Sequence, residues 1–77
     1  MNLPVIDMQR TGANIARIRQ ARGISVRALQ CMLGFSTPQA IYKWQHGDSL
    51  PTLDNLLALC VIFGVSMEEI LIIQTAA

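Results

Sequence analysis

The sequence predicts an all-α fold of five short helices, and three observations predict it. Apolar residues recur at spacings of three and four, the period of a helix with one buried face. Ser25, Thr37, Thr52 and Ser66 stand just ahead of these periodic segments, where a side-chain oxygen satisfies the first unpaired N–H groups. Gly23, Gly34, Gly47 and Gly64 stand just beyond them, where helices commonly end in the left-handed region. No segment reads as a convincing strand. With 77 residues, 52% hydrophobic and 14% charged, the chain holds one globular core, not a disordered segment or two domains.

Residues 1–11 carry Pro4 and precede the first periodic pattern, so they read as a flexible N-terminal arm, with residues 12–77 as the folded domain. The first helix covers about 12–21 and puts Ile15 and Ile18 on its inner face. The second runs over 26–33 after Ser25 and aligns Leu29 with Leu33. About two turns long, it is too short to stand alone and must pack on neighbours. The third covers about 38–46. Pro38 pushes its predecessor out of the helical region and suits the first helical position itself, so Thr37 is expected as the N-cap. Ile41 and Trp44 form its buried stripe. The fourth, 53–63, is expected to bury Leu53, Leu56, Leu57, Cys60 and Phe63. The fifth starts at a Ser66–Glu69 capping box and turns Met67, Ile70 and Leu71 inward.

Charge is unevenly distributed. All six basic residues (Arg10, Arg17, Arg19, Arg22, Arg27 and Lys43) fall between positions 8 and 47, a span without a single acid. Asp48, Asp54, Glu68 and Glu69 follow with no base. A net charge of +1 thus conceals a basic part and an acidic part, and a basic patch is the footprint of a polyanion partner.

Other classes are disfavoured. Cys31 and Cys60 lack the paired spacing of a zinc motif or a disulfide scaffold and read as reduced thiols in or near the core. The longest apolar run, 56–63, is far short of the roughly 20 residues that span a bilayer. With no secretory leader evident, a cytoplasmic location is expected. His46 has no thiol or carboxylate near it, which argues against a metal. No nucleophile–base pair or phosphate-cradling glycine loop appears, so no enzyme, cofactor or small-molecule ligand is expected.

The second and third helices are joined by a brief link at Gly34-Phe35-Ser36, the arrangement of a helix-turn-helix. In such a pair the first helix braces the DNA backbone and the second lies in the major groove. The ordered series of marks is Ile18-Arg19 with Arg22-Gly23-Ile24, then Leu29 with Gly34, then Ile41, Trp44 and Gly47 at intervals of three. Pro51, a leucine-rich helix and Gly64-Val65-Ser66 complete it. Over Ile15 to Leu71 this series resembles the phage-repressor-like, Xre-type helix-turn-helix family.

The resemblance implies a lambda-repressor-like domain that binds double-stranded DNA and regulates transcription, with a repressor-like action. It places Gln39, Tyr42 and Lys43 on the groove-facing side of the third helix and Ser25 against a phosphate. Arg27, Arg10 and Arg17 are further phosphate candidates, while Arg19 is structural. The link from Gly34 to Ile41 is one residue longer than the family's, so Ser36, Thr37 or Gln39 is the first to meet DNA. Three positions depart from the pattern. Gln30 replaces a small residue, Val26 replaces a glutamine that contacts DNA, and Gln45 replaces an acid, which gives Arg19 a hydrogen bond in place of an ion pair.

A homodimer is expected through Val61, Ile62, Ile72 and Ile73, apolar residues left outside the inward faces of the last two helices. The alternative is a protein-interaction module such as an antitoxin or an adaptor subunit, which would require an apolar surface on the third helix.

Overall fold

The computed structural model describes residues 3–74. Strand β1 (Val5–Ile6) leads into helices α1 (Met8–Ala21), α2 (Val26–Leu33), α3 (Gln39–His46), α4 (Leu53–Phe63) and α5 (Met67–Ile70), followed by strand β2 (Ile73–Gln74). Three of the expected caps form: the hydroxyls of Ser25, Thr52 and Ser66 accept from the N–H groups of Ala28, Asn55 and Glu69 at 3.0, 3.3 and 3.3 Å. Such a cap typically contributes about 1 kcal/mol. The α3 boundary differs. Pro38, at φ −85° and ψ 4°, has already turned toward the helical region and serves as the N-cap with no side-chain bond. Its carbonyl accepts from Tyr42 N–H at 3.2 Å, so Thr37 does not cap this helix.

The first helix is longer than expected. Asp7 caps it by accepting from Arg10 N–H at 2.9 Å, and α1 begins at Met8 instead of Gly12. Ahead of it, Val5 and Ile6 pair antiparallel with Gln74 and Ile73. The segment read as a flexible arm over 1–11 therefore contains a paired strand and a helical turn, and two short strands exist where none was expected. Residues 1–2 of that arm, and 75–77 of the expected domain, lie outside the described residues. Asp7 N–H donates to Ile72 O at 2.8 Å, and Thr11 Oγ1 accepts from Ile72 N–H at 2.9 Å. These bonds satisfy backbone groups that the edge of such a small sheet would otherwise leave open.

The core gathers one stripe from each helix: Ile15 and Ile18, Leu29, Ile41 and Trp44, then Leu56, Leu59, Phe63 and Ile70. Burying each large side chain is worth roughly 1.5–3 kcal/mol, which is what stabilises helices of two or three turns. Helix α4 is rotated from its expected orientation. Leu59 is fully buried, whereas Leu53 and Leu57 are 67% and 49% exposed. At 100° per residue, Leu56, Leu59 and Phe63 fall on one face. Leu53 and Leu57 turn away from that face. Cys60 is half-buried, as expected of a core-side thiol, but Cys31 is exposed on α2.

Candidate nucleic-acid interface

The α2–α3 pair is anchored from beneath by Leu29 and Ile41, both fully buried. Gly34 ends α2 at φ 74°, a backbone conformation that side-chain-bearing residues rarely adopt. Residues 34–38 then cross to α3. Phe35 N–H donates to Gln30 O at 3.0 Å, and Gln30 Nε2 donates back to Phe35 O at 3.2 Å. Phe35 also packs edge-on against Trp44, with centroids 5.8 Å apart. Gln30, which replaces the small residue usual there, thus spans the turn and fixes it.

All seven residues singled out for DNA, Ser25, Arg27, Ser36, Thr37, Gln39, Tyr42 and Lys43, are exposed. Gln39 and Lys43 are one turn apart on α3 and so share a face. Arg27 and Tyr42 line one cleft between α2 and α3, together with Val26, Gln30 and Pro38. Tyr42 stacks on His46 one turn further along, with centroids 6.4 Å apart. Ser25 uses its hydroxyl on its own helix. Val26, Pro38 and His46 were not among the site residues inferred from sequence, because an aliphatic residue, a proline and a lone histidine carry no binding signal by type.

The basic residues are divided. Arg19 is half-buried and donates to Gln45 Oε1 at 3.0 Å and Ile24 O at 2.8 Å; the first is the hydrogen bond in place of an ion pair that the Gln45 replacement implied. Arg22 donates to Phe63 O at 2.8 Å and so satisfies a carbonyl at the end of α4. Arg17 holds Asn14 Oδ1 through two bonds of 3.0 and 2.8 Å. Arg17 and Arg22 border a cleft with Val65 and Glu69, so they belong to the α1–α5 side. The α2–α3 surface carries Arg27 and Lys43, a smaller basic patch than the linear charge pattern suggested.

The helix-turn-helix family profile matches residues 15–70, well over half of the chain. The chain belongs to the helix-turn-helix family. As an Xre-type member it is a DNA-binding transcriptional regulator. Solved structures share this family fold. The restriction-modification controller protein C.AhdI from Aeromonas hydrophila is 22% identical and superposes with a TM-score of 0.74 over 83% of this chain and 96% of its own. The DNA-binding domain of BldD is 23% identical, with a TM-score of 0.71 over 84% of this chain and 93% of its own. The S. venezulae BldD DNA-binding domain is also 23% identical, with a TM-score of 0.71 over 84% and 96%. No curated protein matches by sequence. Among the described residues, no helix of this helix-turn-helix chain is long and apolar enough to cross a membrane, and no three His, Cys, Asp or Glu side chains cluster as a metal site would require.

Proposed function

We propose that the protein reads specific duplex sequences by laying α3 in the major groove, and that it represses transcription by occupying an operator as a homodimer. The observation that carries this reading is the α2–α3 surface itself. It is exposed, it presents Gln39, Tyr42 and Lys43 along α3 with Arg27 beside them, and the chain has no acid from Met8 to Gly47. A protein-interaction module would instead present apolar residues there. Glutamine can bond adenine in bidentate fashion, and a lysine close to the groove wall suits phosphate. The descriptions of the similar structures, a controller protein and DNA-binding domains, agree with this role. The protein would act by occupancy, without catalysis, in the cytoplasm where its duplex target lies.

The dimer reading rests on the acidic C-terminal part. Leu53, Leu57 and Val61 recur every four residues on the outside of α4, and Val61 is 83% exposed. Ile73 is 53% exposed on β2. An uncharged stripe on a small domain suits a second copy. Of the residues first assigned to this interface, Ile62 and Ile72 are half-buried on their own chain, so Val61 and Ile73 retain the role and Leu53 and Leu57 join them.

Titration of random-sequence duplex at several salt concentrations tests the reading. Arg27 and Lys43 from two copies, each neutralising one phosphate, give a log–log slope of about −4. Absence of binding at low salt would overturn it in favour of the interaction module.

A further inference from the structure

We propose that the outer edge of β2 pairs antiparallel with β2 of a second copy, so that two two-stranded sheets become one sheet of four strands. This inference rests on the homodimer reading and supplies it with a main-chain contact. The register decides which backbone groups are open. Val5 pairs with Gln74 and Ile6 with Ile73, and Asp7 N–H donates to Ile72 O at 2.8 Å. Hydrogen-bonded and non-bonded pairs alternate along an antiparallel ladder. The bonded positions therefore fall at Asp7–Ile72 and Val5–Gln74, and Ile6–Ile73 is the non-bonded pair. The N–H and C=O of Ile73 point away from β1 and have no partner among the described residues. Ile73 and Gln74 are both exposed, so this edge faces water.

The two strands differ in how their edges are guarded. Natural edge strands are kept from pairing by proline, charge or a bulge. β1 has Pro4 ahead of it and Asp7 behind it. From Leu71 to Gln74 the chain has neither proline nor charge, so the β2 edge is unguarded. It also suits its own copy. With a two-fold axis between Ile73 and Ile73 of the second copy, each donates its N–H to the carbonyl of the other, and the two side chains lie on one face. No like charges meet there. That face also carries Ile6, directly opposite Ile73, beside the groove that Met67 and Leu71 line with them. Apolar surface is thus covered as the strands join. The acid of that groove, Glu68, belongs to α5 and not to the strand. Two-stranded ribbons are marginal, and further strands stabilise them.

The test uses the whole chain. Sedimentation over a concentration series gives the monomer–dimer equilibrium, and amide hydrogen exchange over the same series reports on the Ile73 N–H. When about nine-tenths of the chains are paired, that amide should exchange about tenfold more slowly than in the dilute monomer. Ile73→Pro removes the outward donor without removing a bond within the chain, whereas Ile73→Ala removes side-chain area and keeps the donor. The proline variant should dimerise about tenfold more weakly than the alanine variant, since two N–H···O bonds are lost per dimer. Should Ile73→Pro lose its helical circular dichroism, exchange at Ile73 in the parent still decides. An Ile73 amide that exchanges equally fast in monomer and dimer would overturn the strand pairing and leave the homodimer resting on α4, as would equal dimerisation of the folded proline and alanine variants. A parent that stays monomeric at high micromolar concentration would overturn the homodimer reading, and the strand pairing with it.

Discussion

Gly12 lies directly on the backbone of Trp44, so at this point α1 and α3 meet with no side chain between them. A Cβ at Gly12 would collide with the Trp44 carbonyl oxygen and would approach the Gln45 carbonyl oxygen to 2.9 Å. Both obstacles are main chain and cannot rotate away. The seat of α3 on the scaffold is therefore set by the missing side chain of a residue in the second turn of α1.

Gly12→Ala should accordingly destabilise the protein. Alanine favours a helix over glycine by about 1 kcal/mol, but overpacking typically costs about 1–3 kcal/mol, and here the clash is with backbone. A lower urea midpoint with an unchanged slope is expected. A midpoint equal to or above the parent's would show that α1 and α3 separate at little cost.

Asn14 ties α1 to the other end of the chain. Its Nδ2 donates to Glu69 O at 2.8 Å and to Ile70 O at 2.9 Å, and its Oδ1 holds Arg17. Asn14→Ala would leave two carbonyls near the core without these donors, at a cost of about 1–3 kcal/mol. Amide hydrogen exchange should accelerate first in α5 and β2. Uniform acceleration across all helices would argue instead that the chain end has no separate stability.

Gln39 and Lys43 should separate by function although they share a face. Gln39 begins α3, where a base edge is within reach, and Gln39→Ala should relax preference at one base pair by roughly 1–3 kcal/mol of discrimination. Lys43→Ala should weaken all sequences alike and make the salt slope shallower by about one unit per copy. Selection from a random pool with each variant, followed by salt titration, measures both. An unchanged preference in Gln39→Ala would remove it from the reading surface.

The outer stripe of α4 should govern association. Val61→Glu, at an 83% exposed position, should leave the fold intact and convert a dimeric parent to a monomer in sedimentation. Ile73→Glu should weaken the dimer if β2 joins the same interface. A parent that stays monomeric at high micromolar concentration would remove the homodimer from the proposed function.

Much of the fold was legible because it is local. Caps act across three residues and helix faces repeat every three or four, so Ser25, Thr52 and Ser66 marked helix starts, and Ile15, Leu29, Ile41, Trp44 and Phe63 marked the core without knowledge of any neighbour. The Arg19–Gln45 bond was legible for a different reason, since the family pattern already pairs those positions. The exposed polar residues of α2 and α3 likewise followed from helix period and the turn between them.

Tertiary structure decided what depends on residues far apart in the chain. Val5 and Ile6 are too few to signal a strand and become one only because Ile73 and Gln74 are brought beside them. Leu57 is as apolar as Leu59, and only the position of the surrounding helices buries one and exposes the other. Arg17, Arg19 and Arg22 look in sequence like part of one basic patch, yet their guanidinium groups serve Asn14, Gln45 and Phe63. The cleft shared by Val26, Arg27 and Tyr42 exists only where α2 and α3 converge. Periodicity tells which side chains share a face of one helix, but burial and pairing depend on what the rest of the chain places against that face.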